Sequence, residues 1–239
     1  MPSLPPTGKP LRVLFIGNSY THTHQMPAIV QQMAESTGSR FTFDMRAPGG
    51  WSLEQHFKDA ETRAAIRKGI WDCIVLQDQS QRAAMPIRRV RRQFFRYVRR
   101  FNCFIWWHLS PKPEIILYMT WGRRDGDADN RTYYPPVGTF EGMAALLKER
   151  YERMAGKINA RVTPVGEAWA YARKHYPDIE LYQEDGHHPS AAGSYLAACC
   201  FYAAFFGKDP ALLDYDFTLA PEVAAQLREV ASKTAWEAK

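Results

Sequence analysis

The sequence predicts an α/β fold built on a parallel sheet with helices covering both faces. Two observations carry this. Short, continuous apolar runs such as "LRVLFIG", "CIVLQ" and "EIILYMTW" recur along the chain, and each suits a strand buried on both sides. Between them lie longer stretches whose apolar residues return every three to four positions, the period of a helix with one buried face. Strands alternating with helices imply right-handed crossovers and hence parallel pairing.

Taken in order, residues 11–17 form the first strand, ending in Gly17. A helix follows, with Met26, Ile29, Val30, Met33 and Thr37 on one side. "RFTFDMR" (40–46) alternates in period two and is the second strand. After "APGG" a helix runs through Leu53, Phe57, Ala60 and Ala64, and 73–77 is the third strand. Ile87, Val90, Phe94, Val98 and Phe101 mark an amphipathic helix, leading to the fourth strand at 114–121. A long helix spans Phe140 to Ile158, and "ARVTPV" (160–165) is the fifth strand. A last core helix passes through Ala192, Tyr195, Cys199, Tyr202 and Phe206, and Pro221 suits the first turn of a terminal helix.

The 239 residues, 46% apolar and 23% charged, match an ordinary globular protein, and the lack of a linker or repeat favours one domain over 1–239. The proline-rich segment 1–10 is expected to be flexible. No stretch reaches the roughly eighteen uncharged apolar residues of a membrane span, and no basic-then-apolar leader opens the chain, so a soluble protein without a membrane span is expected. The compartment and the oligomeric state stay open. Cys73, Cys103, Cys199 and Cys200 lack metal-site spacing and sit in apolar segments, which predicts reduced, buried thiols. Residues 88–100, "RRVRRQFFRYVRR", hold seven arginines and no acid, more than the whole net charge of +6. The plain reading is a solvated face whose arginine stems cover apolar surface; a docking patch for an anionic partner is the other.

Ligand sites in open parallel sheets lie beyond the carboxyl ends of the strands, so the loops at 17–25, 47–52, 77–86 and 120–139 hold the candidate chemistry. In "GNSYTHTHQ", Ser19 stands where the chain turns into a helix, either as a nucleophile with helix-end amides nearby or as that helix's cap. In "RAPGGWS", Gly50 offers an unobstructed N–H or makes a tight turn. In "VLQDQSQ", the Gln79 amide either donates to an oxyanion or belongs to a polar loop. "DGHHPS" adds the densest acid-base cluster, readable as a metal pair, half of a proton relay or a helix cap.

Together, Ser19 in "GNSYT", Gly50 after the second strand, an amide residue after the third, and Asp185-Gly186-His187-His188-Pro resemble the SGNH, or GDSL-type, hydrolases. The resemblance spans nearly the whole chain, and its most specific part is Asp-x-x-His-Pro. It implies a three-layer α/β/α sandwich with a five-stranded parallel sheet, flavodoxin-like, and hydrolysis of a small ester, such as an acylated carbohydrate, without a metal or other cofactor. Carried over residue by residue, it makes Ser19 the nucleophile, His188 the base and Asp185 its orienting carboxylate. The oxyanion hole would comprise the Ser19 and Gly50 N–H groups and Gln79, with Gln77 a second candidate. Asn18 replaces the commoner aspartate, and Gln77-Asp78-Gln79-Ser80 departs from the usual Gly-x-Asn-Asp. Asn18, Trp121 and Arg124 are candidate substrate contacts. No Gly-x-Ser-x-Gly elbow is present.

Two other readings compete. His22 and His24 with Asp185, His187 and His188 would assemble a metal hydrolase. A non-catalytic glycan- or acyl-binding module would use the same cleft, with Trp121, Tyr133 and Tyr134 stacking on sugars. Nucleic-acid binding rests on the arginine helix alone and is not expected.

Overall fold

The computed structural model describes residues 9–237. Five strands, β1 (Leu11–Ile16), β2 (Phe41–Arg46), β3 (Cys73–Leu76), β4 (Glu114–Tyr118) and β5 (Arg161–Thr163), form one sheet in the order β2-β1-β3-β4-β5. All pairings are parallel, with Leu14 opposite Asp44 in β2 and Ile74 in β3, and Leu117 opposite Val162. This is the flavodoxin-like order, and the connection reverses direction between β1 and β3. The loops leaving those two strands diverge there and open a crevice at the sheet's carboxyl edge.

The alternating side chains of each strand feed two separate cores. Val13, Phe15, Val75, Ile116 and Tyr118 pack under α2 (Met26–Ser36), α8 (Val165–His175), α9 (Ala191–Phe206) and α10 (Pro221–Ala231). Leu14, Ile16, Ile74, Leu76 and Leu117 face the other way, under α3 (Leu53–Lys58), α4 (Ala60–Arg67), α6 (Arg96–His108) and α7 (Phe140–Ile158). The three-layer sandwich follows from that division. In α9 no residue is charged and nearly every one is buried, because it lies between the sheet and three other helices.

Several expectations are corrected. The single helix expected from Leu53 to Ala64 is two, α3 and α4, because Asp59 is extended (φ −72°, ψ 128°) and its carboxylate caps α4 through the Thr62 N–H at 2.7 Å. Helix α8 was absent from the sequence reading, although Val165, Ala168, Trp169 and Ala172 carry a helical apolar spacing; Pro164 and a three-residue strand obscured its start. The arginine helix continues beyond residue 101: α5 (Ile87–Val90), a π-helical turn at Arg91–Phe95 and α6 run on without interruption to His108. Cys103 is exposed on that helix, whereas Cys73, Cys199 and Cys200 are buried free thiols as expected. The proline-rich segment expected to be flexible falls, for residues 1–8, outside the described residues. No helix among the described residues is long and apolar enough to cross a membrane.

Candidate active site

The β1 loop begins with Gly17, where a Cβ would lie 2.3 Å from Thr21 Oγ1 and 2.6 Å from Gln77 Oε1, so only glycine fits. Asn18, not Ser19, caps the short helix α1 (Ser19–His22): its Oδ1 accepts the Tyr20 N–H at 3.1 Å. Ser19 is therefore the first helical residue, half-buried, and its N–H has no acceptor among the described residues.

Facing it is the 182–190 loop. Gly186, at φ +71°, closes a turn through its N–H to the Gln183 carbonyl at 3.0 Å, and Tyr182 bridges to Pro189. Within this turn Asp185 Oδ1 accepts the N–H groups of His187 and His188, both at 2.9 Å. Its Oδ2 lies 2.5 Å from His188 Nδ1, and His188 Nε2 lies 2.8 Å from Ser19 Oγ. A carboxylate only accepts, so Nδ1 carries the proton and Nε2 presents its lone pair to the serine hydroxyl. Partial burial pushes the Asp185 carboxyl up, but the two backbone N–H groups and the His188 ring outweigh it and hold the carboxyl well below the usual carboxylate range. Asp185 is thus an anion at any pH near neutral.

Hydrogen bonds tie the remaining loops into this frame. Asn18 Nδ2 donates to the Trp51 carbonyl at 2.8 Å, and the Asn18 N–H donates to Gln77 Oε1 at 2.8 Å. The Leu53 N–H donates to Asp78 Oδ1 at 2.8 Å, so the loops after β1, β2 and β3 are tied to one another. Gly50 is exposed at φ +71° with open space around its Cα, and its N–H has no acceptor among the described residues.

No family model matches the chain, and no curated protein resembles it. Solved structures do. A candidate SGNH hydrolase from Slackia heliotrinireducens shares 28% identity at a TM-score of 0.64, over 81% of this chain and 98% of that one. A DUF4886 family protein from Bacteroides uniformis superposes at a TM-score of 0.79 with 17% identity over 94% of both chains. A candidate GDSL-like lipase from Parabacteroides merdae gives 0.63 and 17% over 84% and 97%. The chain has the α/β fold of the SGNH, or GDSL-type, hydrolases.

On this SGNH frame the predicted site residues separate into two groups. Ser19, Asp185 and His188 come together, with Gly50 and Gln79 on the neighbouring loops. Gln77 does not offer a free donor: it is fully buried, its Oε1 accepts Asn18 N–H and Thr21 Oγ1, and its Nε2 donates to the Asp78 carbonyl. It is a buried strut for the serine turn, which corrects its candidacy for the oxyanion hole. Gln79 is half-buried, and its Nε2 makes only a long 3.4 Å contact with Gln81 Oε1. Asn18 is 2% exposed with its side chain spent on Tyr20 and Trp51, so it shapes the loop rather than meeting a ligand.

Trp121 is also corrected as a sugar platform. Its ring is fully buried, stacked on Trp169 at 3.8 Å on one side and on Tyr20 at 4.6 Å on the other, and its Nε1 donates to the His187 carbonyl at 3.1 Å. The stack supports the histidine loop from beneath. Arg124 braces the same loop: its N–H donates to the Gly186 carbonyl, and its guanidinium meets Glu180 at 3.3 Å and the Glu184 carbonyl at 3.3 Å. Its charge is already answered by carboxylates.

Of the five-residue metal set, His22 and His24 point elsewhere, to the Ala47 carbonyl at 2.7 Å and Ser194 Oγ at 2.9 Å. Asp185, His187 and His188 do gather their ligand atoms within 4.8 Å, but His188 and Asp185 turn those atoms to each other and to Ser19. His187 is a neighbour, 3.5 Å from both the Tyr20 hydroxyl and Asp185 Oδ2.

Sequence reasoning missed His56. It is fully buried, and its Nε2 donates to the Gly17 carbonyl at 2.6 Å, anchoring the residue that starts the serine turn. Burial lowers its pKa, so it works as a neutral donor. A histidine on the buried side of a short helix was the available signal. Arg123 is packed against Asp127 and Gln81 beside the third loop.

Proposed function

We propose that this hydrolase is a serine esterase, deacylating a carbohydrate or another small ester through an acyl-enzyme. The single observation that carries the reading is the unbroken relay from Ser19 Oγ through His188 to Asp185, at 2.8 and 2.5 Å. In this mechanism Ser19 Oγ attacks the ester carbonyl while His188 Nε2 takes its proton. The oxyanion that forms is held by the Ser19 and Gly50 N–H groups and the Gln79 side-chain amide. His188 then returns the proton to the departing alcohol. Water, activated by the same nitrogen, releases the acid and restores the serine. Asp185 remains ionised throughout, holding the imidazole in the tautomer that can accept from Ser19. No step calls on a metal.

The N–H groups of Ser19 and Gly50 support the oxyanion assignment, because both lie on loops bound to the serine turn and neither has an acceptor among the described residues. Of the three aromatics that a binding module without turnover would use, Trp121 is buried and Tyr133 is exposed.

The test is hydrolysis of aryl esters of several acyl lengths, together with labelling by a serine-directed fluorophosphonate. The wild type is expected to turn over a short-chain ester and to carry the label on Ser19. Ser19→Ala is expected to do neither. Absence of both labelling and turnover in the wild type, at every acyl length, would remove the esterase reading.

A further inference from the structure

The helix from residue 87 to 108 carries seven arginines at positions 88, 89, 91, 92, 96, 99 and 100, and no acid between them. Among the described residues none of the seven has a carboxylate within ion-pair distance. The acid packed nearest this helix, Glu54, is already committed to Lys58, Arg82 and the Tyr97 hydroxyl. Without these seven the rest of the chain is close to neutral. The positive field is therefore confined to one helix face and is left uncompensated there.

That face does not end in charge. Arg96, Arg99, Arg100 and Trp107 follow one another at helical spacing, and with Phe57 and Phe104 they line an open groove of about 480 Å³. Arg100 lies over the Phe57 ring and Arg67 over the Phe104 ring, both at 4.9 Å, so the guanidinium groups rim an apolar floor. Beyond the last arginine, Trp106 and Trp107 are 61% and 82% exposed. Two exposed indoles beside a cationic stripe and an apolar groove form one continuous surface with two chemistries.

We propose that this face docks the protein peripherally on a bilayer rich in anionic lipid headgroups. Guanidinium groups recognise headgroup phosphates, and indoles settle at the headgroup level where one side is apolar and the other wet. A rod-like polyanion would engage the line of arginines and leave both tryptophans and the groove floor unused. An anionic bilayer uses all three. The inference is independent of the esterase reading, because binding is read without turnover.

The experiment is co-sedimentation of the full chain with vesicles of phosphatidylcholine mixed with phosphatidylglycerol, against vesicles of phosphatidylcholine alone. The wild type is expected to pellet with the anionic vesicles only, and to be released by high salt, which screens charges beyond a few ångströms. Each basic residue near an anionic surface multiplies partitioning about fivefold, so Arg96→Gln, Arg99→Gln and Arg100→Gln together should weaken binding on the order of 100-fold. Trp107→Ala should weaken it further and reduce the blue shift of tryptophan emission on vesicle binding, with Trp106 supplying the remainder. If the triple variant fails to fold in a thermal melt, the solvent-facing pair Arg88→Gln and Arg92→Gln takes its place, with a loss of about 25-fold expected. No pelleting with anionic vesicles, equal pelleting with neutral ones, or arginine variants that bind like the wild type would each overturn the proposal. Retention on heparin or duplex DNA without vesicle binding would overturn it in favour of a soluble polyanion.

Discussion

Asp185→Asn separates the orienting role of the carboxylate from its role in folding the loop. The two oxygens have different duties: Oδ1 accepts the backbone N–H groups of His187 and His188 at 2.9 Å, and Oδ2 faces His188 Nδ1 at 2.5 Å. An asparagine that keeps its oxygen on the two N–H groups must turn its NH₂ toward Nδ1. That nitrogen then has to accept, so the ring proton moves to Nε2, the atom 2.8 Å from Ser19 Oγ. A protonated Nε2 cannot take the serine proton. Tautomer loss of this kind costs on the order of 10⁴-fold in kcat, equivalent to about 5 kcal/mol of barrier. The assay is steady-state hydrolysis of a short-chain aryl ester, with a circular-dichroism melt showing that the loop still folds. His187→Ala is the control: its ring sits 3.5 Å from Asp185 Oδ2, outside the relay, and its loss should cost less than tenfold. Activity of Asp185→Asn within tenfold of the wild type would refute the reasoning, as would a His187→Ala defect of similar size.

The two glutamines of the third loop should fail differently. Gln79→Ala is expected to lower kcat on the order of 10²- to 10³-fold with an unchanged melting temperature, the cost of one oxyanion donor. Gln77→Ala leaves the Asn18 N–H and the Thr21 hydroxyl without their buried acceptor, so it should destabilise the fold by about 1–3 kcal/mol for each orphaned group. Urea melts alongside kinetics distinguish the two, and an unchanged Gln77→Ala stability would remove the strut assignment. In acid, Glu54 supplies a further test. The Lys58 ammonium, with Tyr97 and Arg82, holds its carboxyl at about 2 against an ordinary 4.5. A depressed carboxyl stabilises the fold fully above its unfolded value and loses that contribution as pH falls toward the folded one. Glu54→Gln should therefore melt below the wild type at neutral pH, with the gap closing between pH 4.5 and pH 2. A gap independent of pH would count against the ion pair.

β1, β3 and β4 were legible because burial on both faces demands unbroken apolar runs and β2 because its apolar residues alternate, and each of the five strands lies within its predicted span. The relay was legible for a local reason: Asp185 and His188, three residues apart, fall inside one turn, so their meeting depends on little beyond Gly186. The tertiary roles were not. Asn18, Gln77 and Trp121 look like exposed loop chemistry in sequence, and each is buried by a partner far along the chain: Trp51 for Asn18, Thr21 for Gln77, Trp169 for Trp121. Nothing in a window of neighbours reports such pairings. The break at Asp59 was likewise hidden, because an aspartate can continue a helix or cap a new one, and the choice here is made by Thr62.

The departure of the third loop from the usual family pattern has a physical account in these contacts. A glutamine at position 77 ends β3 beside the end of β1, and its side chain spans the gap to take the Asn18 N–H and the Thr21 hydroxyl. A shorter side chain there would leave both donors dry. The same reach is why residue 17 must be glycine, since a Cβ would strike Gln77 Oε1 at 2.6 Å. With position 77 committed to the serine turn, position 79 keeps the amide of the usual pattern, one methylene longer, on a loop that Asp78 ties to the Leu53 N–H. Gly17 and Gln77 are thus coupled choices. Gln79→Asn, which restores the commoner residue without moving the loop, should fall short of the oxyanion and lose nearly as much kcat as Gln79→Ala.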